Sequence, residues 1–321
     1  MSIDMTRRTL LELAGAATLA AAAAGAAKAE GTAGASTGPT FATQTPMFIG
    51  MVTLRVRALD PMIDYYRDVI GLKVMERSAA GAKLGSGGVV LLSLEANPAA
   101  KLGAANAAGL YHTAFLMPTR KDLGIWLLHV ARKRVPLQGF ADHLVSESVY
   151  LGDPEGNGIE VYADRDKSQW KWQDGSVAMA TDPLNTDSLL GLTEQSAPFT
   201  TAPDGMRIGH VHLRVGNLDQ ANGFYRTAIG LDFTRARPGA TFLASGGYHH
   251  HVAMNVWESQ GAAKRDDATT GLAWFSLNIG KSDLIAAQAQ RLTQAGVQTV
   301  KLDNGIEATD PWGTKVRLIQ L

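Results

Sequence analysis

Part of this sequence is written twice. Ile49-Gly50-Met51-Val52-Thr53-Leu54-Arg55-Val56 recurs as Ile208-Gly209-His210-Val211-His212-Leu213-Arg214-Val215. At the same offset, Tyr66-Arg67-Asp68-Val69-Ile70-Gly71-Leu72 recurs as Tyr225-Arg226-Thr227-Ala228-Ile229-Gly230-Leu231, and Ser86-Gly87-Gly88 as Ser245-Gly246-Gly247. Chance does not explain three matches in one register, so the chain is built from repeated units. A fainter pair matches Gly109-Leu110-Tyr111-His112 to Gly271-Leu272-Ala273-Trp274, and Asp153-Pro154-Glu155-Gly156 to Asp310-Pro311-Trp312-Gly313. Four modules result: A (about 47–95), B (109–163), C (206–257) and D (271–321).

Each module opens with a strand. In module C, His210, His212 and Arg214 alternate with Val211, Leu213 and Val215, the period of two that sorts polar and apolar side chains onto opposite faces. Ala221, Phe224, Tyr225, Ala228 and Ile229 then follow helical spacing after Asn217-Leu218-Asp219, and Gly230 stops the helix as Gly71 does in module A. Short strands broken at turn signals complete each unit. The expected fold is α+β, four βαβββ modules in two curved-sheet units. The domain reading places the first pair of modules at 47–165, a polar linker at 166–205 and the second pair at 206–321.

Charge and cysteine content narrow the chemistry. The 321 residues carry 30 Lys+Arg against 30 Asp+Glu, so no net field draws in nucleic acid or an acidic membrane. There is no cysteine, which removes disulfides, thiolate metal sites and thiol nucleophiles together. Any metal must sit on His, Asp or Glu, and there are eight histidines to consider. No phosphate-binding glycine loop or dinucleotide fingerprint has the strand–loop–helix setting it needs. At the N-terminus, Arg7-Arg8, an Ala-rich run and Ala27-Lys28-Ala29 read as a twin-arginine-type signal peptide over residues 1–29, implying export to the periplasm. Residues 30–46, rich in Gly, Ala, Ser and Thr, read as a flexible leader. No span of the membrane is expected after signal removal.

Strand, helix with Phe-Tyr near its end, Ile-Gly-Leu and three further strands resemble the vicinal oxygen chelate superfamily, which holds glyoxalase I, fosfomycin-resistance proteins and extradiol dioxygenases. Its members pair two modules into a curved sheet around a metal-centred cavity. Three stretches are more specific: Gly109-Leu110-Tyr111-His112-Thr113-Ala114-Phe115, the run from Tyr150 to Asp164, and Gly246-Gly247-Tyr248-His249-His250-His251. They resemble bacterial catechol 2,3-dioxygenase-like proteins. That resemblance implies ring cleavage of a catechol-type diol with O₂ at non-haem Fe(II), with Mn(II) as the alternative metal. The implied partners are a small aromatic diol and O₂, with homo-oligomerisation left open.

In the superfamily, ligands come from the first strands of paired modules and from a last strand. Carried over module by module, module B offers His112 and Glu160 and module C offers His210. Module A has Met51 in the matching place, and module D has Trp274 and Arg317. Two imidazoles and a carboxylate form the facial set used by non-haem Fe(II), with positions open for a bidentate diol and O₂. Pairing in chain order, A with B and C with D, would put these ligands in different cavities. Pairing B with C and A with D resolves this, as would B–C pairing between subunits; the A–D cavity would then be structural.

The resemblance also implies a histidine that carries a proton beside bound oxygen, and alignment favours His250. Strand alternation would put His249 and His251 on one face and His250 on the other, and a one-residue slip would exchange them. An imidazole pKa near neutrality suits such a shuttle. Tyr150 matches the family tyrosine that bonds a substrate oxygen, and His143 a second histidine that receives a substrate hydroxyl. His129, mid-helix and without a motif, reads as structural, and His212 as a cavity residue without a ligand role. Two other functions compete. A glyoxalase-like lyase or isomerase would want a fourth carboxylate or amide ligand late in module C, where Asn255, Val256 or Trp257 stand in place of Glu. A non-catalytic small-molecule binding protein would have lost the ligand residues, which are present.

Overall fold

The computed structural model describes residues 40–280 and 282–321. The expected signal peptide at 1–29 and leader residues 30–39 lie outside the described residues.

Module A supplies β1 (Met47–Val56), β2 (Lys73–Ser78), β3 (Gly81–Ser86) and β4 (Val89–Ala96), with helix α1 (Leu59–Tyr65) after β1. Module B supplies β5 (Gly109–Met117), α2 (Arg120–Arg132), β6 (Gly139–Asp142), β7 (Ser146–Gly152) and β8 (Gly158–Asp164). A short hairpin, β9 (Trp172–Gln173) and β10 (Ser176–Val177), and helix α3 (Thr186–Leu190) follow. Module C contains β11 (Arg207–Arg214), α4 (Leu218–Asn222), β12 (Asp232–Arg237), β13 (Ala240–Ala244) and β14 (Val252–Asn255). Module D contains β15 (Gly271–Ile279), α5 (Ser282–Gln294), β16 (Thr299–Leu302), β17 (Gly305–Thr309) and β18 (Lys315–Gln320).

The strands make two eight-stranded sheets in this α+β fold. One runs β12-β13-β14-β11-β5-β8-β7-β6, joining modules B and C through the antiparallel β5–β11 pair. The other runs β16-β17-β18-β15-β1-β4-β3-β2 and joins A to D through β1–β15. The chain is therefore nested, its middle modules sharing one sheet and its outer modules the other. The boundaries 47–165 and 206–321 divide the chain, whereas the sheets unite modules across that division.

The repeated motifs explain what ties consecutive modules together. The helices after β1 and β11 each widen into a π turn, Tyr66–Ile70 and Gly223–Ala228, and end at Gly71 and Gly230, whose φ values of 87° and 86° a β-carbon would strain. The Tyr66 hydroxyl donates to Asp153 Oδ2 at 2.9 Å, and Tyr225 donates to Asp310 Oδ2 at 2.9 Å. Each aspartate, first residue of a repeated Asp-Pro turn, also accepts backbone N–H groups two and four residues on. Thus A is bonded to B, and C to D, at right angles to the sheet pairing in the logic of the chain.

Burial dominates the titration of Asp310 and pushes its carboxyl up to about 6, despite the three hydrogen bonds it accepts. Its folded pKa lies above the unfolded value, so the folded state holds the proton more tightly. Its contribution is greatest below pH 3.8 and is lost as pH rises through about 6. Asp310→Asn is expected to remove that loss. The stability difference between variant and native protein should shift in the variant's favour between pH 4 and 6, read by urea unfolding; a pH-independent difference would contradict the assignment.

Two segments differ from their compositional reading. Residues 40–46 belong to the expected flexible leader, yet Phe41–Gln44 forms a 3₁₀ turn with Ala42 buried and Phe41 against Trp170 and Tyr248. Within 166–205, Trp170, Val177 and Met179 pack beside Ala240, Phe242 and Tyr248 inside the B–C cup. Averaged composition is polar in both stretches, but a few apolar side chains suffice to fill one end of a curved sheet. Among the described residues no helix is long and apolar enough to cross a membrane.

Candidate metal centre

Three neighbouring strands of the B–C sheet, β11, β5 and β8, position the cluster. Ala114 in β5 stands opposite both His210 of β11 and Glu160 of β8, and its methyl group leaves the space between them open. His112 lies two residues along the same strand and projects from the same face. The two histidine strands are irregular at this point. The register slips at Gly209, beside His210, and at Tyr111, beside His112. Bulges of this kind re-aim the neighbouring side chain. Gly209 is required for space, since a β-carbon there would fall 1.8 Å from the Tyr162 hydroxyl.

His112, Glu160 and His210 are all buried, and one ligand atom from each lies within 4.8 Å of the others. Glu160 Oε2 is 3.0 Å from His112 Nε2 and 3.1 Å from His210 Nε2. His112 Nε2 nevertheless has no partner in hydrogen-bonding geometry, leaving a buried nitrogen with an unused lone pair or proton. Burial raises the Glu160 pKa, but the two imidazoles beside its Oε2, His210 foremost, outweigh it and hold the carboxyl well below its usual range. Burial lowers His210 to about 4. The set at neutral pH is a carboxylate with a neutral imidazole at His210, the protonation that divalent-metal binding demands. The donor chemistry and the unsatisfied His112 nitrogen fit a metal such as Fe(II).

The other candidates gather around this cluster. Tyr150, paired with Glu160 across β7–β8, lies 5.7 Å from the His112 ring, centroid to centroid. Its hydroxyl is 2.6 Å from His143 Nε2, while His143 Nδ1 is 2.7 Å from the Ala180 carbonyl. The carbonyl only accepts, so Nδ1 carries the proton; in the neutral ring Nε2 then accepts from Tyr150. Burial pushes the Tyr150 phenol well above its ordinary value and keeps it protonated.

The His250 ring packs against His210, tilted by 47° with centroids 4.1 Å apart. The alternation argument for the triple histidine does not hold, because residues 248–251 form a turn before β14. His249 and His250 instead meet through their Nδ1 atoms at 2.8 Å, and His249 Nε2 reaches Asp164 at 2.8 Å. His251 turns away, its Nδ1 accepting from Ser245 N–H and its Nε2 donating to the Ala42 carbonyl. Nor does the expectation of a near-neutral His250 hold. Burial first, then repulsion from any protonated neighbouring imidazole, holds its pKa well below 6.5, so it rests as the neutral base.

His212 packs among Tyr111, His112, Phe242 and Trp257 and pairs with the Asn255 amide at 2.9 Å. His129 lies elsewhere, bonded to the Asp68 carbonyl and packed on Phe199. Among the described residues, the equivalent place in the A–D sheet carries no ligand set. There the Arg317 guanidinium lies 3.8 Å over Trp274 and its Nε donates to Glu307. Asp164, Tyr248, Tyr162 and Ala180 support the centre without having been singled out from sequence. Ala180 acts through its backbone, which no side-chain pattern reports.

The family model described as Glyoxalase/Bleomycin resistance protein/Dioxygenase superfamily matches residues 48–161 and 207–318. The chain belongs to this superfamily. Among relatives, it is 36% identical over 268 residues to the catechol-2,3-dioxygenase of Bacillus subtilis (strain 168), covering 82% of this chain and 93% of that protein. The superfamily fold is also visible in solved structures. A putative dioxygenase from Bacillus subtilis subsp. subtilis str. 168 superposes with a TM-score of 0.59 at 12% identity, over 85% of this chain and 84% of that one. Glyoxalase I from Zea mays gives 0.53 at 16% identity, over 87% and 94%.

Proposed function

We propose that the chain is an extradiol dioxygenase, opening a catechol-type ring with O₂ at Fe(II) held by His112, Glu160 and His210. The observation that carries this reading is the convergence of a three-ligand cluster, with an unsatisfied buried nitrogen, on the Tyr150–His143 pair and His250. The 36% identity to a catechol-2,3-dioxygenase supports it independently. Fe(II) bound there supplies a Lewis-acidic, one-electron centre able to hold a diol and O₂ side by side.

The protein's own groups do the positioning and the proton handling. The Tyr150 hydroxyl, aimed at His143 Nε2, gives a diol oxygen a hydrogen-bond partner whose own proton has an acceptor. His143 is in turn fixed by Ala180. With Asp164 accepting from His249 Nε2–H, His249 Nδ1 accepts from His250 Nδ1–H, which leaves His250 Nε2 with its lone pair. Neutral and beside His210, that nitrogen can take a proton from the diol and return it as the ring opens. The buried walls around Phe242, Tyr162 and Trp170 keep bulk water from that exchange.

A glyoxalase-like lyase remains the second reading because of the shared fold. Asn255 argues against it, since it occupies the place of a fourth ligand and its amide is committed to His212. Fe(II)-loaded protein given catechol in an oxygen electrode is expected to consume one O₂ per diol. Ni(II)- or Zn(II)-loaded protein given a thiol–methylglyoxal adduct is expected to do nothing. The opposite pattern would replace the dioxygenase with the lyase.

A further inference from the structure

β12 carries two arginines whose charge has no close answer among the described residues. Its register pairs Arg235 with Phe242 and Arg237 with Ala240. Residues directly opposite in an antiparallel pair share a face. Phe242 and Ala240 belong to the apolar cluster inside the B–C cup, so both guanidinium groups rise from the face that bears the metal centre. The Phe242 ring itself touches His250 and His212, with centroids at 5.2 and 6.0 Å. Arg237 bonds Thr181, the neighbour of Ala180, whose carbonyl holds the His143 ring that meets Tyr150, so it stands on the same side of the cup as that pair.

Two other partly buried arginines meet acids: Arg165 meets Asp142 at 2.6 Å and Arg317 meets Glu307 at 2.7 Å, while Arg265 donates to a backbone carbonyl. Arg237 instead bonds the Thr181 hydroxyl at 2.7 Å, and Asp182 attracts it from an exposed position beyond ion-pair distance. Arg235 makes no hydrogen bond or ion pair among the described residues, and its Nε is buried without an acceptor. The two cations also repel each other. Adjacent, partly desolvated guanidinium groups with unused donors are costly unless an anion joins them, and their planar forks suit a carboxylate.

We propose that Arg235 and Arg237 bind an anionic substituent of the diol, so that the substrate is a catechol bearing a carboxylate rather than catechol itself. The assignment rests on reading the His112–Glu160–His210 cluster as a diol-binding metal centre. The diol end then meets Tyr150 and the ligand cluster, the ring lies along Phe242, and the carboxylate meets the arginines.

Anaerobic calorimetry of Fe(II)-loaded protein with 3,4-dihydroxybenzoate and with 4-methylcatechol tests it, since the two differ in charge at one ring position. The carboxylate diol should bind about 10- to 100-fold more tightly. In the double variant Arg235→Gln/Arg237→Gln that ratio should fall towards one, and Arg237→Lys, which keeps the charge, should retain part of it. Equal affinities in the native protein, or an unchanged ratio in the double variant, would overturn the proposal. Absence of ring cleavage with the binding preference intact would contradict the dioxygenase reading and leave the carboxylate assignment standing.

Discussion

Replacing Glu160 with Ala is expected to strip the protein of its metal. Bound Fe(II), measured after dialysis, should fall from one equivalent per chain with a loss of affinity beyond about 100-fold, the upper end of what outer-shell changes cost. Glu160 is the anion of the set, held ionised by His210 and His112. Without it the cluster offers only imidazoles, and the attraction for a dication drops accordingly. The metal-free variant should still unfold cooperatively, because the change removes a buried charge and leaves the surrounding apolar packing of Ala114 and Leu116 in place. Added Fe(II) should raise the unfolding temperature of the native protein and leave that of the variant unmoved. A full equivalent retained by Glu160→Ala would contradict the ligand assignment.

His250→Phe separates binding from chemistry. Its ring keeps the packing contact with His210 while removing the lone pair at Nε2, so metal content should remain at one equivalent. Ring cleavage should fall by about 10²- to 10⁴-fold, the range for a lost general acid–base group. Stopped-flow turnover of the iron-loaded variant reads this directly. An unchanged rate would assign the proton to Tyr150 and His143 instead.

The repeat made the four modules legible, because duplicated motifs such as Tyr66/Tyr225 and Asp153/Asp310 keep their register along the chain. The family resemblance, applied module by module, pointed to His112, Glu160 and His210, whose counterparts in the other sheet, Trp274, Arg317 and Met51, have the wrong chemistry for a metal. Other features could not be read this way. The turn at His249–His251 looks like a strand continuation in sequence, since period two cannot reveal where a strand starts. The roles of Phe41, Ala42 and Trp170 were hidden inside polar stretches whose averages suggest loose chain, although these few side chains close the cup. Ala180 contributes a carbonyl, which leaves no mark on residue type. The neutral state of His250 depends on complete burial, a property of packing and not of the motif.

The Arg235–Arg237 pair shows the converse. Both residues sit in an ordinary-looking strand, and only the register with Phe242 and Ala240 turns them towards the metal centre. Their meaning comes from what is missing around them among the described residues, an acid within reach.

The most direct measurement is the identity of the product formed when Fe(II)-loaded protein, prepared anaerobically, receives a catechol and one equivalent of O₂. A ring opened beside the two hydroxyls, yielding a yellow semialdehyde that bears one new carboxylate, is the predicted result. A dicarboxylate opened between the hydroxyls, or recovery of the intact diol with the metal fully bound, would contradict the account.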